Sequence, residues 1–383
     1  DSALVKHAHH HSIDSQTQLS VSFGVVRVAN IQPCVALTKY LLTAEIPADT
    51  EIRTMPYHSQ QVLLLRHLQE QHLDAVLKRK ETEGEPPKAF LNSDIRQHLK
   101  DIRQSQPQVK QVLFILVATP VEEVGRDHDF DWAVVEPSSY RSIVQLAGRV
   151  RRHRNTAIEQ SNVTLMQYNW RGIKTAHRDD AKVFCWPGFE GDGSERLESH
   201  NLNDLVDAEA LLERVDAIPR IQKSSNLQPT KKLVDLEHCV TKKLLATYNN
   251  NGNGPAQLQG YLREAWFLTA YPQKLVRFRS GQESENIFLI FDAGIGVYKF
   301  CIKDEQGFAV PYELPLGITQ ERLEAELSKR LWLQRDYDEA IDSLADELDL
   351  TKRRASLRYG ELSFRHDEGA RYEYNDQFGL VEI

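Results

Sequence analysis

The chain has 383 residues, 41% of them hydrophobic and 27% charged. That is ordinary globular composition, which excludes a collagen, a coiled coil or a globally disordered chain and suggests two or three domains. The formal net charge of −8 excludes nucleic-acid binding by bulk basicity, but the balance is uneven: residues 1–155 hold 19 Lys+Arg and 18 Asp+Glu, whereas residues 156–383 hold 28 and 37. Cys34, Cys185, Cys239 and Cys301 stand too far apart in sequence to write a zinc motif, and scattered thiols suit a reducing, cytoplasmic compartment. No run approaches the ~18 apolar residues of a membrane span, so no membrane partner is expected.

In chain order, Asp1–His11 is polar and His-rich (His7, His9, His10, His11) and reads as a flexible lead-in. Ser20–Val28 (SVSFGVVRV) is short, apolar and β-branched, which predicts a buried strand. Pro33–Leu42 predicts a helix, Glu51–Tyr57 a weaker strand, and Ser59–Arg79 a long helix with Val62, Leu65, Leu68, Leu73, Val76 and Leu77 on its apolar side. After the loop Glu81–Lys88 comes the strongest strand, Val109–Ala118 (VKQVLFILVA). The strand Trp132–Glu136, a helix over Ser138–Arg152 N-capped by Ser138 or Ser139, and the strand Val163–Tyr168 follow. Apolar strands alternating with amphipathic helices predict an α/β fold whose parallel sheet is covered on both faces.

The remainder is less regular. Gly188–Asn201 reads as a surface loop, Leu202–Val215 as an acidic helix, Asn226–Lys232 as a linker and Asn249–Pro255 as a low-complexity turn. The strands Ile287–Phe291 and Val297–Ile302, with helices over Gln320–Trp332 and Asp336–Asp349, suggest a small α+β module. The expected division is a flexible N-terminus over 1–19, an α/β domain over 20–185, a linker with a helix over 186–235 and a C-terminal domain over 236–383.

The sharpest chemical signal is Gln145-Leu-Ala-Gly148-Arg149-Val-Arg151-Arg152. On a helix, Gln145, Arg149 and Arg152 would share one face, with Gly148 permitting close approach, so their donors would converge on one anion. Guanidinium forks match phosphate oxygens, and an arginine so placed can stabilise a γ-phosphate in phosphoryl transfer. A solvated basic face would look the same in isolation. Upstream, Thr119 to Asp127 (TPVEEVGRD) directly follows the strongest strand, where a doubly wound sheet binds its ligands. There Thr119 offers a hydroxyl and amides, Gly125 a tight turn, and Asp127 an acceptor for a ribose or for the arginines.

This ordered set resembles the second RecA-like domain of superfamily 2 helicases. Gln145–Arg152 is similar to motif VI, Thr119–Asp127 to motif V, Val21–Leu42 with Asn30 to the motif IV region, and Met55–Ser59 with His58 to the following DNA-contacting motif. Within the superfamily, Pro137–Arg152 (PSSYRSIVQLAGRVRR) resembles the CRISPR-associated helicase–nuclease of type I interference, most of all type I-F. The resemblance implies ATP with Mg2+ at Arg149, Arg152, Gln145, Gly125, Asp127 and Gly148, and single-stranded DNA at Thr119, His58 and Asn30. It also implies a CRISPR surveillance complex, the spacer-integration protein and phage-encoded inhibitors as partners. The sequence departs from the family in lacking a P-loop, a DExH box and a metal-binding HD cluster, and Pro120 stands where relatives often carry Gln. The chain begins with Asp rather than Met, so these parts, with the divalent metal ions of the HD nuclease, are expected upstream, and this stretch alone is not expected to hydrolyse ATP.

Smaller features carry two readings each. Arg277 and Arg279 flank Phe278 and suit single-strand binding by stacking and phosphate contact, or simply an exposed strand. His128-Asp129 and His366-Asp367 read as surface dipeptides, and Trp266 and Trp332 as core residues. The alternatives to the helicase–nuclease are another superfamily 2 DNA or RNA helicase, and a non-catalytic nucleic-acid-binding module that kept the fold.

Overall fold

A computed structural model describes residues 1–81, 85–154, 157–176, 178, 180–192, 195–244, 284–311, 318–320, 322–365 and 369–383. The turn at Asn249–Pro255, Trp266, Arg277, Arg279 and His366-Asp367 lie outside the described residues. Contacts group the chain into two compact units: Asp1–Glu136 with Gln145–Leu165 and Ser284–Ile383, and Pro137–Val144 with Met166–Glu283. This grouping cuts across the linear boundaries at 185 and 235, because the last hundred residues pack with the first sheet.

The first unit is built on a sheet of β1 (Ser12–Ile13), β2 (Ser20–Arg27), β3 (Thr50–Tyr57), β4 (Gln111–Ala118), β5 (Trp132–Val135) and β6 (Val163–Leu165). The order is β3-β4-β2-β5-β6, all parallel, with β1 antiparallel on β2. This is the expected α/β, RecA-like class. β4 reads as an unbroken apolar run because both of its faces are covered. Val112, Phe114, Leu116 and Ala118 enter the core that holds Leu73, Val76, Ile95 and Leu99. Leu113, Ile115 and Val117 enter the one beneath Cys34 and Trp132. Gly24 sits mid-strand in β2 because the Trp132 ring lies over it, and a Cβ there would come within 2.2 Å of that ring.

Helices α2 (Ile31–Thr43), α3 (Leu63–Leu77) and α4 (Ser93–Ser105) cover the sheet, and the sequence reading missed α4. The N-terminal expectation needs correction. Residues 2–9 form a helix, α1, and β1 follows it into the sheet. His7 is fully buried with Nδ1 2.7 Å from Ser22 Oγ, so polar composition here hides packing against β2 rather than a flexible tail.

The segment 284–383 adds a four-stranded antiparallel-paired sheet (Glu361–Phe364, Glu285–Asp292, Val297–Lys303, Ala309–Pro311) and a three-stranded one (Ile318–Gln320, Tyr372–Asn375, Gly379–Glu382). The helix expected over Gln320–Trp332 reduces to Ala325–Ser328. After it the chain straightens, and Leu331 bridges Thr54 on the edge strand β3, with Thr54 N–H donating to Arg330 O at 3.0 Å and Trp332 N–H to Thr54 O at 3.0 Å. This register drives Trp332 into the main core against Phe23 and Phe114. Helix α3 serves both cores: Leu64 and Leu65 pack with Tyr337, Ile341 and Leu362, while Leu73, Val76 and Leu77 pack under the parallel sheet.

The second unit is made of short helices (Trp170–Lys174, Leu202–Leu205, Ala208–Glu213, Ile218–Ile221, Leu233–Leu244). The single acidic helix expected over Leu202–Val215 is two helices, because Val206 is extended and Asp207 caps a new start by accepting from Ala210 N–H. No helix among the described residues is long and apolar enough to cross a membrane.

Candidate functional site

The loop after β4 (residues 119–131) and the segment 148–154 meet at the carboxyl end of the parallel strands. The expected helix over Ser138–Arg152 ends early. α5 spans Tyr140–Ala147, and Ser139 caps it reciprocally: Ser142 N–H donates to Ser139 Oγ at 3.0 Å and Ser139 N–H to Ser142 Oγ at 3.1 Å. Beyond Ala147 the chain turns, with Arg149 N–H donating to Leu146 O at 2.8 Å and Val150 N–H to Ala147 O at 3.1 Å. Phe130 N–H donates to Arg149 O at 2.8 Å, Arg151 N–H to Phe130 O at 2.9 Å, and Arg151 turns with φ of +50°. Gln145, Arg149 and Arg152 are therefore not three positions of one helical face. Arg149 and Arg152 come together because the turn after Ala147 brings the chain back onto the loop after β4.

The side chains then interleave. Asp127 accepts from Arg152 Nε at 2.7 Å and from His153 Nε2 at 2.9 Å. Asp129 accepts from Arg154 at 2.6 Å, and Asp131 from Arg154 at 2.6 Å and from Arg79 at 2.9 Å. Phe23 N–H also donates to Asp131 at 2.7 Å, tying this arrangement to the central strand. Burial alone would raise the Asp131 carboxyl, but Arg79 and Arg154 bring it below the usual carboxylate value. The alternation Asp127-x-Asp129-x-Asp131 against Arg152-x-Arg154 was the sequence signal that could have revealed this pairing.

The loop is also held from beneath. Glu123 takes Arg27 Nε at 2.7 Å, and Arg27 donates on to Glu136 O at 2.7 Å. His128 lies between Glu122 (2.7 Å) and Asp74 (3.1 Å). His128 and Asp129 are thus buried rather than the surface dipeptide expected, because His128 hydrogen-bonds Glu122 and Asp74 and Asp129 pairs with Arg154.

Arg149 is nearly buried and donates one terminal nitrogen to Glu123 O at 2.9 Å. Its Nε is buried with no hydrogen-bond partner among the described residues. Burial and the neighbouring Arg152 hold its guanidinium below the usual value. The Arg152 side chain stays 39% exposed beside Asp127 at 44%, with Gly148 and Gly125 also exposed; Gly125 turns with φ of +71°. Gln145 is half-buried. A buried guanidinium with an unused donor beside an exposed one is a site suited to a shared oxyanion, so the residues present fit a phosphate group.

Residues 20–155 match the family described as CRISPR-associated nuclease/helicase Cas3, C-terminal. The CRISPR-associated nuclease/helicase Cas3 subtype I-F/YPEST of Pseudomonas aeruginosa is 34% identical over 358 residues, covering 91% of this chain and 31% of that protein. The chain is homologous to the C-terminal part of subtype I-F Cas3. The Pectobacterium atrosepticum Cas3 of the same subtype is 33% identical over 382 residues, covering 94% and 32%. The chain thus spans about a third of the length of the curated Cas3 relatives it matches. A solved structure of T. fusca Cas3 with AMPPNP is similar at a TM-score of 0.38 and 13% identity, covering 94% of this chain and 37% of that one, a likeness too low to carry argument.

Two residues given DNA contacts by the Cas3-like motifs turn inward. His58 is fully buried, with Nε2 2.9 Å from Phe378 O and Nδ1 accepting from Gln60 N–H at 3.2 Å; burial pushes it down to about 4. The C-terminal segment covers the position an exposed phosphate contact would need. Thr119 is nearly buried, and both its amide (3.0 Å) and its hydroxyl (3.5 Å) face Tyr57 O. Asn30, half-buried at the start of α2, remains at the surface. Arg27, Glu123, Asp129, Asp131, His153 and Arg154 were not foreseen.

Proposed function

We propose that the chain forms the second lobe of an ATP-driven, single-strand-directed DNA translocase coupled to a nuclease in type I-F CRISPR interference, together with the C-terminal segment that packs on that lobe. The observation that carries the reading is the convergence of Arg149, Arg152 and Asp127 at the carboxyl end of β4, within a region that matches the Cas3 family. Arg149 and Arg152 would hold the γ-phosphate of ATP, Gln145 would help orient it, and Gly125, Asp127 and Gly148 would line the cleft. Asp127 keeps Arg152 extended until a phosphate competes for it. Placed positive charge supplies most of the catalysis in phosphoryl transfer, and the Mg2+ that accompanies ATP adds charge neutralisation there.

On this reading the divalent metal ions belong to an HD nuclease outside this chain. Single-stranded DNA passes the lobe near Asn30. A DNA-bound surveillance complex recruits the enzyme, with the spacer-integration protein as a further partner and phage-encoded inhibitors as antagonists. The decisive experiment is Arg149→Ala in the full-length enzyme. ATP turnover and ATP-driven DNA degradation should fall by about 10³-fold or more, the range of an arginine finger, while single-strand binding stays near wild type. Normal turnover in this variant overturns the assignment.

A further inference from the structure

The second unit contains an exposed tryptophan in a basic cleft that the motor reading does not use. Trp186 is 69% exposed, although tryptophan is among the side chains burial favours most. It lines a cleft of about 450 Å³ with Arg171, Arg178, Lys182, Arg196 and Thr175, a volume typical of small-ligand sites. Arg171 Cζ lies 5.9 Å and Lys182 Nζ 5.7 Å from the ring centroid, within cation–π range. Asp180 and Asp192 also line the cleft, so among the described residues four cationic side chains face two anionic ones in a chain whose net charge is −8.

The scaffold that presents this ring is fixed. Buried Glu190 accepts from the amides of Val183 (2.7 Å), Phe184 (2.9 Å) and Leu197 (3.3 Å), tying down the loop on both sides of Trp186. Arg171 donates to Cys185 O at 2.7 Å, holding the residue before the tryptophan. The surface loop expected over Gly188–Asn201 is therefore partly internal. Trp186 itself sits at φ of +47°, a left-handed backbone that a non-glycine residue rarely adopts. The loop is thus held firmly while the indole remains largely exposed beside Arg171 and Lys182.

We propose that Trp186 and its surrounding cations form a docking site for single-stranded nucleic acid, taking one base on the indole and the adjoining phosphates on Arg178, Lys182 and Arg196. An aromatic platform beside cations matches that ligand better than an acidic peptide, which would use the cations and leave the ring bare. The pair Arg178–Asp180 (3.5 Å) is exposed, and Asp192, which takes Lys182 at 3.0 Å, is exposed too, so both carboxylates can give way to phosphate. The site stands independently of the ATP reading, since it shares no residue with it.

The test uses the full-length protein without nucleotide and a fluorescent oligo-dT strand. Trp186→Ala should weaken binding by about 5- to 150-fold, the range for loss of one stacked base, and Trp186→Phe should recover most of the affinity. Arg178→Gln with Lys182→Gln should lower the slope of log affinity against log salt by about 1.4, the expected release for two single-strand phosphates. A strand carrying iodo-deoxyuridine should photocross-link to the peptide containing Trp186. Affinity within twofold of wild type in both the Ala and the double Gln variants, with no such cross-link, overturns the proposal and leaves the cleft to an acidic protein segment. DNA-independent ATP turnover should be unaffected in all three variants, which separates this outcome from failure of the Arg149 experiment.

Discussion

Replacing Trp332 with alanine tests whether the C-terminal segment is part of the main core. The indole is fully buried, with ring centroids 5.4 Å from Phe114, 5.8 Å from Phe23 and 6.3 Å from His72. Truncating a buried tryptophan costs about 3–5 kcal/mol. The Trp332 indole N–H is buried without a hydrogen-bond partner among the described residues, and an unpaired buried donor offsets about 1–3 kcal/mol of the packing gain. The expected loss therefore sits at the lower end, about 3 kcal/mol. The main-chain bonds from Trp332 N–H to Thr54 O (3.0 Å) and from His98 to Trp332 O (2.8 Å) do not depend on the side chain, so the segment stays tethered while its core loosens. Hydrogen exchange on the full-length protein should show the amides of β4 and of residues 330–333 exchanging about a hundredfold faster, at 1.4 kcal/mol per tenfold. Trp332→Phe keeps most ring contacts and removes the unpaired donor, so its exchange should remain within about tenfold of wild type. A change of less than about threefold in the alanine variant, or equal changes in both, would refute the reasoning.

Three further outcomes are expected. Asp131→Asn removes the buried charge shared by Arg79 and Arg154 and should destabilise the first unit by about 3–5 kcal/mol; denaturant unfolding that shows less than about 1 kcal/mol would mean that Asp129 and Glu81 absorb both arginines. His7 and His58 are held neutral by burial at about 4 against an ordinary 6.5, so the unfolded chain binds their protons first as pH falls. Their contribution is intact above about pH 6.5 and drains away toward pH 4, at about 1.4 kcal/mol per pH unit per histidine, and His58→Gln should flatten the measured stability–pH slope. Asp127→Ala should release Arg152 and His153, lowering ATP turnover in the full-length enzyme without loss of fold; unchanged turnover with an unchanged KM for ATP would show that Asp127 positions nothing.

The parallel sheet was legible because β2 and β4 are buried on two faces, which leaves long apolar runs no helix amphipathicity would produce. The helix α4 was not, since only Ile95, Leu99 and Ile102 of its 13 residues are buried among charges, although Asn92 caps its start by accepting from Asp94 and Ile95 N–H. The arginines were found but their geometry was not. A helical wheel assumes that the helix continues, and here the pull of Phe130 on the Arg149–Arg151 backbone ends it at Ala147. His58 was misplaced because its neighbour is 320 positions away, and no local pattern announces that Phe378 closes over it. Trp332 was correctly assigned to a core, but nothing local said which one.

Helix α3 joins matters that the chain otherwise keeps apart. Its first turn is clamped by the C-terminal sheets, and Arg335 donates there to Leu65 O and Gln69. At its other end stand Asp74, which holds His128, and Arg79 just beyond, which holds Asp131. The helix is about 22 Å long at 1.5 Å per residue, stiff on the scale of a hydrogen bond. It joins the contacts of the C-terminal sheets to Asp74 and Arg79, whose partners His128 and Asp131 lie in the loop after β4. Cutting the chain between 284 and 335 would remove the packing that clamps the start of this helix, so truncations meant to isolate the α/β sheet will also loosen the element that carries Asp74.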